Sequence, residues 1–181
     1  MKRIALTVLL LCASLTFAQQ TPPKPPAHGG EVLERQFSTV EREFVPLVEA
    51  MPADKFDFAP TQGEFKGVRT FAQQAKHVAS TNYEVAAGLL GEKPPIDLGK
   101  GENGPDNLKS KDEIVKFVKD SFAYAHKAIG TINEKNLVEM VGRSSRMGSA
   151  NLMIWHSFDH YGQMVVYLRM NGIIPPASRQ Q

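Results

Sequence analysis

Cysteine is almost missing from this 181-residue chain, in which Cys12 is the single thiol. Cys12 lies in a segment laid out like an export signal. Met1-Lys2-Arg3 is a short cationic start, Ile4 to Phe17 is apolar, and Thr16-Phe17-Ala18 places small residues for cleavage after Ala18. Leu10-Leu11 ahead of Cys12 lacks the small residue that a lipid-attachment site wants. Cleavage is therefore expected to leave a periplasmic or secreted protein with no disulfide, thiolate ligand or cysteine nucleophile.

Other absences narrow the field further. The leader's apolar run is shorter than the roughly 20 residues of a membrane span, so no span is expected in the mature protein. The net charge of +2 and pI near 8.6 are too mild to argue for nucleic acid or an anionic membrane surface. No basic stripe interleaved with aromatics appears, and there is no internal repeat. Alternating strand patterns are nearly missing. No Gly-x-Ser-x-Gly elbow is present, and His156 lacks the following glutamate that marks zinc proteases.

What remains is a set of helical periodicities. After the leader (1–18), residues 19–30 form a proline-rich linker, with His28 as a bystander in it. Residues 31–176 then supply one helical domain, and 177–181 a short tail. The first helix is expected from about Glu31 to Met51, with Leu33, Phe37, Val40, Phe44 and Val48 at helical spacing. Pro46 should kink it or end it early. Met51 to Pro60, followed by Gly63 and Gly67, is an irregular connection.

The second helix opens on a capping box, Thr70 with Gln73, and stops at Gly91. Glu92 to Lys109 is a long polar crossover with Pro94-Pro95 and several glycines. A second box, Ser110 with Glu113, starts the third helix, whose apolar stripe runs from Val115 to Ile132. The fourth is expected from about Ser149 to Met170, ending at Asn171-Gly172. It is apolar on most sides and should be the most buried rod. The fold class is all-α, a four-helix bundle, and the long crossover calls for at least one parallel pair of neighbours.

Histidine supplies the chemistry. His156 and His160 are four apart in the fourth helix, which puts both rings on nearly the same face, about 6 Å apart along the axis. Burying two imidazoles in an apolar helix without partners costs on the order of 1–3 kcal/mol each, so a metal or hydrogen bonds must satisfy them. If the second helix packs against the fourth, His77 joins them. Three neutral imidazoles then leave one coordination position open, which is where chemistry takes place.

Gln163, one turn from His160, and Asp159, on the flank of His156, are candidates to orient an imidazole from behind; Asp159 could equally pair with an arginine. Gln73, Gln74, Thr81 and Glu84 share the side of His77, a stripe that either faces water or lines a polar pocket. In the pocket case Glu84 is a candidate acid, base or ligand, and Asp159 a weaker one. His126 is structural or exposed. Gly162, inside a helix at a cost of about 1 kcal/mol, is explained either by a neighbouring helix coming close beside the site or as a glycine tolerated there without a role. The glycines of Gly142 to Gly148 precede a helix whose start could receive an anion.

Three stretches together resemble the DinB/YfiT-like family of helical-bundle metalloproteins, over roughly Gly30 to Pro176. They are Met51 to Pro60, Phe71 to Asn82 with His77, and His156-Ser157-Phe158-Asp159-His160-Tyr161-Gly162-Gln163 with Tyr167 to Pro176. The resemblance implies an up-down-down-up bundle. It also implies a divalent metal on His77, His156 and His160, with water completing the shell. Imidazole ligands suit Zn²⁺ and Ni²⁺ alike.

Known activities of the family include thiol-dependent transfer and isomerisation, and family members can be dimers. Export argues against thiol transfer, because small intracellular thiols are scarce outside the cytoplasm. The functional expectation is a metal-dependent hydrolase or transferase of a small molecule. The alternative is a bundle that holds a metal or a small ligand without turning it over.

Overall fold

A computed structural model describes residues 24–179; the expected leader and cleavage point lie outside them. Four helices carry the fold: α1 Gly29–Ala50, α2 Phe71–Leu90, α3 Lys111–Ile129 and α4 Arg146–Met170. Single 3-10 turns cover Ala53–Lys55 and Pro176–Ser178. A two-residue hairpin, β1 Met140–Val141 with β2 Ser144–Ser145, precedes α4. No described helix is long and apolar enough to cross a membrane.

The local signals act as written. Thr70 and Ser110 each close a full capping box, with Gln73 and Glu113. Gly91 ends α2 at φ 71°, a left-handed conformation that glycine adopts without strain. The start of α1 differs from expectation. His28 Nδ1 accepts from the backbone N–H of Glu31, so this residue is the N-cap of a helix that begins at Gly29. Helix α1 also runs past Pro46 to Ala50, so the proline does not end it.

The bundle core sits where the four apolar stripes meet. Phe37, Phe44, Phe71, Phe122, Leu47, Ile129, Met153 and Met164 are all fully buried within it. Phe122 stacks on Phe37 at 5.1 Å and leans on Phe44 at 5.8 Å, which joins α3 to α1. Each helix also touches others at its ends. Tyr167 Oη donates to the carbonyl of Arg69, and Arg146 to that of Leu89, so α2 and α4 run antiparallel. Lys111 donates to the carbonyls of Glu49 and Met51, and His126 lies against Glu34 and Glu41, so α3 runs opposite to α1. Segment 91–110 makes the return from the end of α2 to the start of α3.

Two expectations about α4 fail for one reason. The most buried helix is α2, in which twelve of 20 residues are buried, against eight of 25 in α4. Helix α4 is apolar on most sides, but one of them has no neighbour among the described residues: Trp155 is 58 % and Val166 52 % exposed. Gly162 lies on that side, and a Cβ built there would meet nothing within 4 Å, so no described helix explains it. The start of α4 is likewise closed to an anion. Ser145 Oγ accepts from the N–H of Gly148, while the N–H groups of Arg146 and Met147 go to the carbonyls of Glu139 and Leu137.

Candidate metal centre

Packing of α2 against α4 brings His77, His156 and His160 into one cluster. Their ring centroids are 4.9, 4.8 and 4.6 Å apart, a nearly equilateral triangle. One nitrogen from each ring can be chosen so that all three lie within 4.8 Å of one another. His77 Nε2 and His156 Nε2 are 3.0 Å apart. Two ligands at the usual zinc–imidazole distance in a tetrahedron would be separated by ~3.3 Å. The trio could hold a metal ion.

Hydrogen bonds behind the rings settle which nitrogens face inward. His77 Nδ1 lies 2.5 Å from the carbonyl oxygen of Glu102, which can only accept, so Nδ1 carries the proton and Nε2 presents a lone pair. A chain of four residues across α4 and α2 reaches the same result for His160. The carboxylate of Asp159 accepts from Gln163 Nε2 at 3.0 Å, and Gln163 Oε1 accepts from Gln74 Nε2 at 3.0 Å. Gln74 Oε1 is therefore left to accept from His160 Nδ1. The carboxylate at its end fixes every direction in this chain.

His156 differs. Its Nδ1 is buried with no hydrogen-bond partner among the described residues. In the absence of a cation its Nε2 can only share a proton with the lone pair of His77.

Electrostatics keep the cluster uncharged. Burial pushes the pKa of His156 and His160 down to about 4, assisted by the neighbouring rings and by Arg69. Burial also lowers that of His77, against the pull of the Glu102 carbonyl. Neutral imidazole is the form that coordinates metal.

The sign of the resulting pH dependence follows. The unfolded chain takes up these protons near pH 6.5, whereas the folded chain resists until about 4. The unfolded state thus binds more protons below 6.5, and stability falls as pH drops through that window. For chelator-treated protein the urea midpoint should be level above pH 6.5. Between about 6.5 and 4 it should fall steadily, as the unfolding free energy drops by on the order of 1–3 kcal/mol per pH unit for the two rings. A midpoint unchanged from about pH 7 to 5 would contradict the burial of these rings.

The crossover closes over one side of the site. Buried Lys76, next to His77, donates to the carbonyl of Pro105 at 2.8 Å. Gly104, at φ 72°, lies so close that a Cβ there would come within 2.7 Å of the Lys76 side chain. Arg69 grips the Glu102 carboxylate and the Asn103 side-chain carbonyl oxygen, both at 2.9 Å. Between this loop and α2 lies a cleft of about 700 Å³, lined in part by Arg69, His77, Ser80, Glu84, Leu98 and Lys100.

Several residues foreseen for the site lie elsewhere in it than expected. Gln163 and Asp159 reach His160 only through Gln74, and neither touches a ring nitrogen directly. Asp159 pairs with no arginine among the described residues. Glu84 is exposed in the cleft and makes no ion pair or hydrogen bond among the described residues. Gln74 itself, 2 % exposed, sits inside the bundle, so for this member of the stripe the interior placement holds. Its spacing of three from His77 put it on the ligand face. Arg69 and Glu102 carry no such pattern, because they act from loops.

His126 takes no part in the cluster. It lies between the carboxylates of Glu34 and Glu41 and edges onto Phe37, tying α3 to α1.

The fold has a counterpart among known proteins. A search of solved structures matches a crystal structure of a DinB-like protein from Bacillus cereus, with a TM-score of 0.61 and 17 % identity. The match covers 81 % of this chain and 95 % of that one, and it speaks for the fold. No curated protein matches the sequence. The model of the DinB superfamily matches residues 36–164. That span reaches from the first turns of α1 past His160, so the chain belongs to the DinB superfamily.

Proposed function

We propose that the protein is an exported metal-dependent hydrolase or transferase in which His77, His156 and His160 hold a divalent cation, Zn²⁺ or Ni²⁺. The observation that supports it best is the convergence of three neutral rings beside a cleft, two of them with the inward lone pair fixed by a partner behind. A cation bound there supplies Lewis acidity to a substrate oxygen or to water. The chain itself supplies orientation and proton handling. The amide chain from Asp159 through Gln163 and Gln74 holds the His160 ring in place, and the Glu102 carbonyl does so for His77.

The cleft has the size of a small-molecule site, for which about 300–1,000 Å³ is usual. Glu84 lies on its wall, two turns along α2 from His77, free to exchange a proton with a substrate. Asp159, tied into the amide chain, acts as a positioning residue. The leader-like start, Met1 to Ala18, supports a reaction in the periplasm or outside the cell, where water is a more available acceptor than an intracellular thiol.

One observation favours the alternative of a metal- or ligand-holding bundle without turnover. No carboxylate lies in hydrogen-bond reach of a ring nitrogen in the cluster, among the described residues. Titrating Co²⁺-loaded protein with azide separates the two. A shift of the visible bands, reporting an exchangeable position on the metal, is expected. Bands that do not respond would mean a closed shell and overturn the enzymatic reading.

A further inference from the structure

We infer that a second cavity, between the crossover and the α2–α3 pair, binds a small organic cation with an ammonium head and an apolar body. Its volume is about 400 Å³, within the range of small-ligand sites. It shares no lining residue with the cleft beside His77. Its apolar walls come from Tyr83 and Phe117, whose ring centroids lie 5.5 Å apart, and from Ile96 and Leu108 of the crossover.

The ionised groups make the cavity negative. Asp97, Glu113 and Asp120 line it with Lys116 as the single cation, a surplus of two negative charges. Each carboxylate uses one oxygen within the chain. Asp97 Oδ1 accepts from the N–H of Gly99, Glu113 Oε2 serves the start of α3, and Asp120 Oδ2 takes Lys116. The other oxygen of each has no hydrogen-bond partner among the described residues.

Tyr83 gives an independent sign of an occupant. It is only 4 % exposed, yet its hydroxyl makes no hydrogen bond among the described residues. Buried hydroxyls are seldom left unpaired, so this one is placed for something that enters. Burial, and after it the charge of Asp120 on the same wall, pushes the Tyr83 pKa up to about 12. The phenol therefore stays neutral and can accept an N–H.

The chemistry of the occupant follows by elimination. An anion would be repelled by the carboxylates, and a neutral apolar molecule would leave them and the hydroxyl unanswered. A bare metal ion gains nothing from aromatic walls. Among the described residues, moreover, the histidine trio is the one group close enough to share such an ion. An ammonium answers both halves of the cavity. Its N–H groups donate to the free carboxylate oxygens and to Tyr83 Oη, while the rings cover its apolar body and favour a nearby positive charge.

The test titrates the isotope-labelled full chain near neutral pH with three probes of one shape: 2-phenylethylammonium, 2-phenylethanol and 3-phenylpropionate. Amide shifts at Tyr83, Asp97 and Phe117 report binding in this cavity. The ammonium is expected to bind with a dissociation constant below about 1 mM, and the other two at least about tenfold more weakly. Tyr83→Phe keeps the ring, loses the hydroxyl, and is expected to weaken the ammonium roughly fivefold. Asp120→Asn is expected to weaken it about tenfold and leave 2-phenylethanol unchanged, a split that a packing role would not produce.

No shift at these amides with about 10 mM ammonium would overturn the proposal. So would equal affinity for 3-phenylpropionate in this cavity, or an ammonium affinity that neither variant alters. Shifts confined to Glu84 and Lys100 would overturn it too, by assigning the probe to the other cleft. None of these readouts depends on the metal.

Discussion

His160→Ala should abolish both metal binding and the thermal response to a chelator. Parent protein purified without a nickel column is expected to carry close to one equivalent of Zn²⁺ or Ni²⁺, and the variant less than a tenth. The effect on stability is large because only the folded chain presents the three nitrogens together. A free ion at about a thousand times its dissociation constant stabilises the fold by about 4 kcal/mol. In a domain of this size each kcal/mol moves the melting temperature by roughly 2–4 °C.

A chelator should therefore lower the parent's transition by about 10 °C and leave that of His160→Ala unmoved. His160 is the choice because its partner behind the ring is the best defined, with Gln74 held in turn by Gln163. If the parent ignores the chelator and elutes without metal, the trio is a hydrogen-bonded cluster and the proposed chemistry goes with it.

Gly30→Ala should destabilise the fold by about 2–3 kcal/mol, although alanine favours helix over glycine by up to about 1 kcal/mol. A Cβ at Gly30 would overlap the carbonyl oxygen of Ile132, which belongs to the backbone and cannot swing aside. Its neighbour Gly29 is the control: a Cβ there meets the flexible Leu137 side chain first, at 3.3 Å. Urea denaturation of the two single variants checks this. A Gly30→Ala protein as stable as Gly29→Ala would mean that α1 does not dock on the turn after α3.

Much of the bundle was legible because its signals are local. Thr70 with Gln73, Ser110 with Glu113 and the left-handed Gly91 each act within one turn, and the apolar stripes are periodic. The histidine trio was legible in part for the same reason, since His156 and His160 share a helix. Gly30 was placed in a linker because its requirement comes from Ile132, about a hundred residues away. The exposed side of α4 was misjudged because hydropathy reports which residues resist water without saying what shields them. The roles of Glu102 and Arg69 were invisible because a backbone carbonyl has no sequence signature, and an arginine in a loop has many possible uses.

The attachment of His77 to the crossover has a kinetic consequence. In the proposed site two rings ride on one helix and move together as a fixed jaw. The third is steadied by a coil held by Lys76, Arg69, a Tyr124 bond to Glu92, two packed leucines and one carbonyl. Fraying of that coil would loosen one of the three grips and leave the other two. How long an ion resides there is thus set by the least regular part of the molecule, while how well it fits is set by the most regular.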